Sequence, residues 1–145
     1  MDIQRDVQEY MRRKKAALYA LLLNWAGVLA NYAKQNAPWD DRTGHTRQGI
    51  HSGVDKDGDR FVMYLSHGQA TGKYLEEGTG LYGPYQKPYV IKPKNKKALY
   101  WDGLPHPVKK VTVQGIKPRP IIKPTVDLHI GRIRDTVRQF WRSRP

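Results

Sequence analysis

Apolar residues recur at steps of three and four through the first quarter of the chain. Val7, Tyr10, Met11, Leu18, Leu21, Leu22, Trp25, Val28, Leu29 and Tyr32 fall on one face of a helix. Asp2 stands where an N-cap belongs, and Ala37-Pro38 ends the run, because proline disfavours helix in the residue before it. The spacing predicts a helix over 3–36, about 50 Å long at 1.5 Å per residue. A helix of that length outruns the core. Its first turns are expected to project, with Arg12 to Lys15 on an exposed section.

After the turn-rich stretch 36–46 the period becomes two. Residues 47–54 and 59–67 flank Asp55-Lys56-Asp57-Gly58, the pattern of a hairpin around an Asp-Gly turn. Phe61, Met63 and Leu65 then share a face. Residues 68–83 predict a glycine loop with one helical turn. Tyr89–Pro93 and Lys97–Trp101 predict a second hairpin, with Tyr89, Ile91, Leu99 and Trp101 on its core side, and 108–113 a further strand. The prolines of 115–124 exclude a central strand there. Val126, Ile130, Ile133, Val137 and Phe140 or Trp141 restore the helical period over 125–142, with Arg132, Arg134, Arg138 and Arg142 opposite. The expected fold is α+β. A long N-terminal helix (1–36) and a C-terminal helix (125–142) pack with an antiparallel sheet of about five strands built from hairpins (37–124), in a single domain over 1–145.

Composition narrows the chemistry. The 145 residues contain no cysteine, which excludes thiol nucleophiles, disulfides and zinc–thiolate sites. Lys and Arg number 26 against 13 Asp and Glu, a net charge of +13 that attracts polyanions, nucleic acid first. The most apolar run, Ala16 to Ala30, contains Asn24 and is short of the roughly 20 residues a bilayer span needs. No membrane association is expected.

Several patterns imitate chemistry. Gly78-x-Gly80-x-x-Gly83 has the spacing of a dinucleotide loop, but polar residues precede it and Pro84 and Pro88 follow, where a strand and a helix are required. Gly68 to Tyr74 is one residue short of a P-loop and has Tyr74 at the Ser/Thr position. Asp55-x-Asp57-Gly58-Asp59 has its glycine too early for a calcium loop. No two of His45, His51, His67, His106 and His129 have helical metal-pair spacing. A small RNA-cleaving enzyme would rely on His106 or His129. Lysines interleave with aromatics over 87–101, which permits phosphate contact with base stacking. Lys92, Lys94, Lys96, Lys97, Lys109 and Lys110 are the basic residues expected to face DNA.

Three segments, in order, carry a resemblance. They are Asp41-x-Thr43-Gly44-x-x-Arg47-x-x-Ile50, then Tyr74-Leu75-Glu76-x-Gly78-Thr79, then Pro120-Ile121-Ile122-Lys123-Pro124-Thr125. Together they resemble the tailed-phage neck family, the tail-completion or head–tail joining proteins of the lambdoid gene-ten-product type. Four features depart from the family pattern. Arg42 is inserted, Thr46 stands for Leu, Glu77 replaces an aromatic, and Ile121-Ile122-Lys123 replaces Phe-Leu-Arg. The resemblance implies a structural virion protein at the head–tail junction, without turnover, cofactor or metal. Its implied partners are copies of itself in a ring, expected to be a hexamer, the head connector or stopper, a tail-tube or tail-terminator protein, and DNA passing without sequence specificity. Its implied setting is the virion, after assembly in the host cytoplasm. Tyr74, Leu75, Glu76, Glu77, Gly78, Thr79 and Gly80 become subunit-interface residues, with the glycines allowing close approach of a neighbour. Thr43 and Gly44 would set the turn into the first strand, Arg47 would pair with Glu76 or Glu77, and Pro120 and Pro124 would lead stiffly into the last helix. A basic nucleic-acid-binding protein outside any particle is the second expectation.

Overall fold

Asp2 caps the first helix as its position predicts: Arg5 N–H donates to its Oδ1 at 3.3 Å. The computed structural model describes residues 2–144. Helix α1 runs Ile3–Asn36 and turns out at Ala37, ahead of Pro38. Its buried face is Leu18, Ala26, Leu29 and Ala33, where two alanines leave room for a sheet to approach. Ile3, Val7 and Tyr10 stay exposed on the first turns. By length and composition α1 is apolar enough to cross a membrane; 17% of its most apolar window is buried, on the side that meets the first sheet.

The polypeptide divides into two compact units, one formed by residues up to Gln69 and from Ile121 on, the other by Ala70–Pro120. In the first unit, α1 is followed by a short helical turn α2 (His45–Gln48) and by strands β1 (Ile50–Asp57) and β2 (Arg60–His67). The turn α2 occupies the start of what the sequence pattern reads as strand. The hairpin register pairs Ile50 with His67 and Asp57 with Arg60, leaving Gly58 and Asp59 as the loop. Gly58 has φ +57 and Asp59 does not have positive φ. That is a type II′ turn with glycine first, one residue later than the Asp-Gly expectation. Ile50 and Val54 are buried, and Phe61, Met63 and Leu65 alternate half-buried on the same face. Tyr19 of α1 meets Phe61 at 5.8 Å between ring centroids. Ser52 donates through Oγ to the Ala26 carbonyl at 2.6 Å, linking strand to helix backbone. On the other face Gly53 lies under the ring of Tyr64, where a Cβ would sit 2.7 Å from the hydroxyl oxygen.

Helix α4 spans Ile122–Arg142 and starts three residues before the expected Thr125. Pro124 fits its first turn, where a missing N–H costs no hydrogen bond. Thr125, His129 and Ile133 form its buried stripe at steps of four. The helix packs chiefly on α1 and only marginally on β2, not on the sheet as expected. Tyr32 of α1 meets His129 edge-on at 4.8 Å. Lys14, expected on an exposed section, is instead 6% exposed. Its ammonium donates to Phe140 O at 2.7 Å and Ser143 O at 2.8 Å, carbonyls that the end of a helix leaves without partners. Neighbouring Arg12 and Arg13 do stay exposed, both held by Glu9.

The second unit contains α3 (Ala70–Glu77), a 3-10 turn at Gly80–Tyr82, and strands β3 (Tyr89–Ile91) and β4 (Val111–Val113). The four strands therefore form two separate two-stranded sheets, not one sheet of about five. The expected pairing of Tyr89–Pro93 with Lys97–Trp101 does not occur. β3 pairs with β4, Tyr89 opposite Val113, and of the 97–101 segment only Leu99 forms a bridge, to Val108. Prolines explain the shortness: Pro88 and Pro93 bound β3, and Pro105 and Pro107 interrupt the return.

Candidate functional site

The Tyr74–Gly83 segment lies against 114–119 of the same unit. Thr79 N–H donates to Ile116 O at 2.9 Å, Leu81 N–H to Gln114 O at 2.8 Å, and Arg119 N–H to Leu75 O at 2.6 Å. Ile116 N–H returns a bond to Thr79 Oγ1 at 3.0 Å. This crossing is what the glycines serve. A Cβ on Gly80 (φ +61) would sit 2.3 Å from Gln114 O, and one on Gly115 (φ +110) 1.9 Å from Thr79 O. The close approach expected of Gly78-Thr79-Gly80 is thus made within the chain.

The same bonds dispose of the dinucleotide pattern. A pyrophosphate loop must present free amides at a helix start. Here Gly78 N–H is bound to Tyr74 O, Tyr82 N–H to Thr79 O and Gly83 N–H to Gly80 O, besides the Thr79 and Leu81 bonds above. The element that comes next after the 3-10 turn is strand β3, not a helix.

The segment instead walls an open cleft of about 690 Å³. Tyr74, Glu77, Gly78, Thr79 and Gly80 line it, and Leu75 and Glu76 of the same motif do not. Lys73, Tyr85, Lys87 and Tyr89, which the sequence pattern left as loop or assigned to a core, also line it. Tyr85 is 87% exposed and Tyr74 52%. Gln86 beside it holds φ +50, an uncommon angle for a residue with a side chain. That loop is pinned by Gln86 N–H on Gly83 O and Lys87 N–H on Gly80 O. The signal for this wall was present in Pro84-Tyr85 and Pro88-Tyr89, two aromatic residues each presented by a preceding proline.

Lys92, Lys94, Lys96, Lys97, Lys109 and Lys110 are all exposed, on the long excursion between β3 and β4. Tyr100 and Trp101 project from the same excursion, and Tyr89 and Ile91 are also exposed. The expected core side of that hairpin does not exist. Among the described residues, 70–120 bury only Gly72, Gly78 and Gly83, and every buried apolar side chain belongs to the first unit.

The first motif has local partners at the end of α1. Arg47 sits on α2, after Gly44 with φ +76. Its guanidinium donates to Asp41, to the Lys34 carbonyl and to Trp39 O at 3.0 Å. Trp39 is buried and donates from Nε1 to Asp41 Oδ1 at 3.2 Å. Arg47 therefore closes the C-terminus of α1 by taking up one of its unpaired carbonyls. Thr43 is exposed beside that turn. Pro120 is exposed at the end of the second unit, and Pro124 is in the first turn of α4. His129 is buried with Nδ1 2.7 Å from Thr125 O, while His106 is exposed. No cluster of His, Asp and Glu suited to a metal ion occurs among the described residues.

Compared with protein-family models, curated proteins and solved structures, the chain matches none.

Proposed function

We propose that this chain is a structural subunit of a tailed-phage head–tail junction, forming a ring that joins tail to head connector and lets DNA pass. The observation that carries the reading is the composition of the 70–120 surface. That unit buries no apolar side chain yet exposes Tyr74, Tyr82, Tyr85, Tyr89, Tyr100 and Trp101. Exposed aromatic surface of this kind marks an interaction face. In an assembly, neighbouring copies and neck proteins supply the cover. Helix α1 adds exposed Leu23 and Val28 on a stretch without charge between Lys15 and Lys34. The three motif segments that carry the family resemblance support the same reading, since two of them have definite local roles, the Arg47 closure and the glycine crossing.

The charge fits passage of DNA. With +13 per subunit, a ring multiplies a field that draws in a polyanion without reading its sequence. Lys92, Lys94, Lys96, Lys97, Lys109 and Lys110 are the candidates for the channel wall in this reading. Only some of them line the channel, because a fully basic wall would retain the DNA. The test is light scattering with negative-stain imaging, alone and with connector and tail-tube proteins. A ring of about six copies is expected. A strict monomer that binds neither partner would refute the reading.

The lysine-bearing excursion favours a second reading, a basic nucleic-acid-binding protein outside any particle. It predicts salt-sensitive DNA or RNA binding by the isolated chain, lost on Lys92/Lys94/Lys96/Lys97→Ala with the fold intact.

A further inference from the structure

We propose that the cleft between Tyr74 and Tyr89 is a binding site for an unpaired nucleic-acid strand. A base lies against the tyrosine faces and the adjoining phosphate rests on Lys73 and Lys87. The inference does not depend on ring formation.

Four observations converge on this occupant. The cleft measures about 690 Å³, within the range of small-molecule sites and ample for a nucleotide. Tyr74, Tyr85 and Tyr89 all line it and all are exposed, so aromatic faces stand free in one place. Tyr85 is held out by a hydrogen-bonded loop with a left-handed residue, Gln86, so its exposure is built into the backbone. Finally, the cationic groups in the cleft are side chains. The amides of Gly78, Thr79, Leu81, Tyr82 and Gly83 are spent within the chain, so they form no backbone phosphate cradle. An anion here must use Lys73 and Lys87.

Aromatic faces plus flexible lysines are the chemistry of single-strand binding, in which bases stack and phosphates track the basic side chains. A duplex keeps its bases stacked on one another and offers no free face to a tyrosine. Glu77 is the carboxylate in the cleft. It repels phosphate from its own side and can accept a hydrogen bond from the exocyclic amine of a base. A proline-rich peptide also favours aromatic grooves. It would leave Lys73 and Lys87 without anionic partners, on a unit whose ten basic residues face only Glu76, Glu77 and Asp102.

The test is fluorescence anisotropy of the full chain with a labelled 20-nucleotide oligo-dT and with a hairpin duplex of equal length. The single strand is expected to bind at least tenfold more tightly. Tyr85→Ala is expected to weaken single-strand binding about tenfold, within the range of base–aromatic stacking, and to leave duplex binding unchanged. Lys73→Ala with Lys87→Ala is expected to weaken the single strand and to flatten its salt dependence. Because Tyr85 is 87% exposed in the chain, its substitution leaves folding intact, and an unaltered circular dichroism melt checks this. Equal affinity for duplex, or no effect of Tyr85→Ala on single-strand binding, would overturn the proposal. Displacement of the oligonucleotide by a proline-rich decapeptide, dependent on Tyr85 and insensitive to salt, would overturn it in favour of a peptide site.

Discussion

Lys14 tests how the two long helices are held together. Lys14 is 6% exposed, yet among the described residues its ammonium has no acidic partner; it is held by Phe140 O, Ser143 O and the ring of Phe140, whose centroid is 4.5 Å away. Replacing it with methionine keeps the stem and removes the donor. Phe140 O retains the Ser143 hydroxyl at 2.7 Å, so the loss falls mainly on Ser143 O and on the negative end of α4. A hydrogen bond to a charged group contributes about 1.5–3 kcal/mol. The desolvation of a buried ammonium offsets part of that. The net cost of Lys14→Met is therefore about 2 kcal/mol, a fall in Tm of roughly 4–8 °C for a chain of this size. Lys14→Glu places a carboxylate against the same carbonyls and is expected to cost at least about twice as much. Thermal unfolding by circular dichroism, paired with urea titration, measures both. If Lys14→Met lies within about 0.5 kcal/mol of the parent, or if Met and Glu behave alike, the lysine does not cap α4 and the reasoning fails.

Arg47→Ala removes the groups that hold Asp41, Lys34 O and Trp39 O, and urea titration is expected to show a loss of about 2–3 kcal/mol. Arg47→Lys should recover less than half, because one ammonium cannot match a planar fork; full recovery would mean charge alone matters. Gly115→Ala forces a side chain onto φ +110 and against Thr79 O, so amide spectra should lose the dispersed signals of 74–119, and an unchanged spectrum would refute the crossing. Glu9, bonded first to Arg12 and then to Arg13, has its pKa lowered from 4.5 to about 2. Its folded pKa is the depressed one, so what the Arg pairing adds is present above pH 4.5 and lost as pH falls towards 2. A carboxyl titration by carbon NMR with a midpoint near 4.5 would contradict the pairing.

Local rules determined the first unit's elements. The 3.6 period, Asp2 and Pro38 bound α1 to its observed ends, and the two-residue period of 61–65 placed Phe61, Met63 and Leu65 on the face that meets α1. Charge and cysteine content are sequence properties and stand as read. Pairing and partnership were decided elsewhere. Whether Tyr89–Ile91 joins 97–101 or 111–113 depends on loop closure and backbone contacts across twenty residues, and no local preference encodes it. Lys14 reads as a surface lysine until the end of α4 arrives beside it, and nothing in the sequence ties Arg47 to the Lys34 carbonyl until the chain folds back on α1. The glycines of 78–83 show the difference most plainly. Their spacing is written in the chain, but their reason, a backbone passing within one Cβ of Gln114 and Gly115, exists only once distant segments meet.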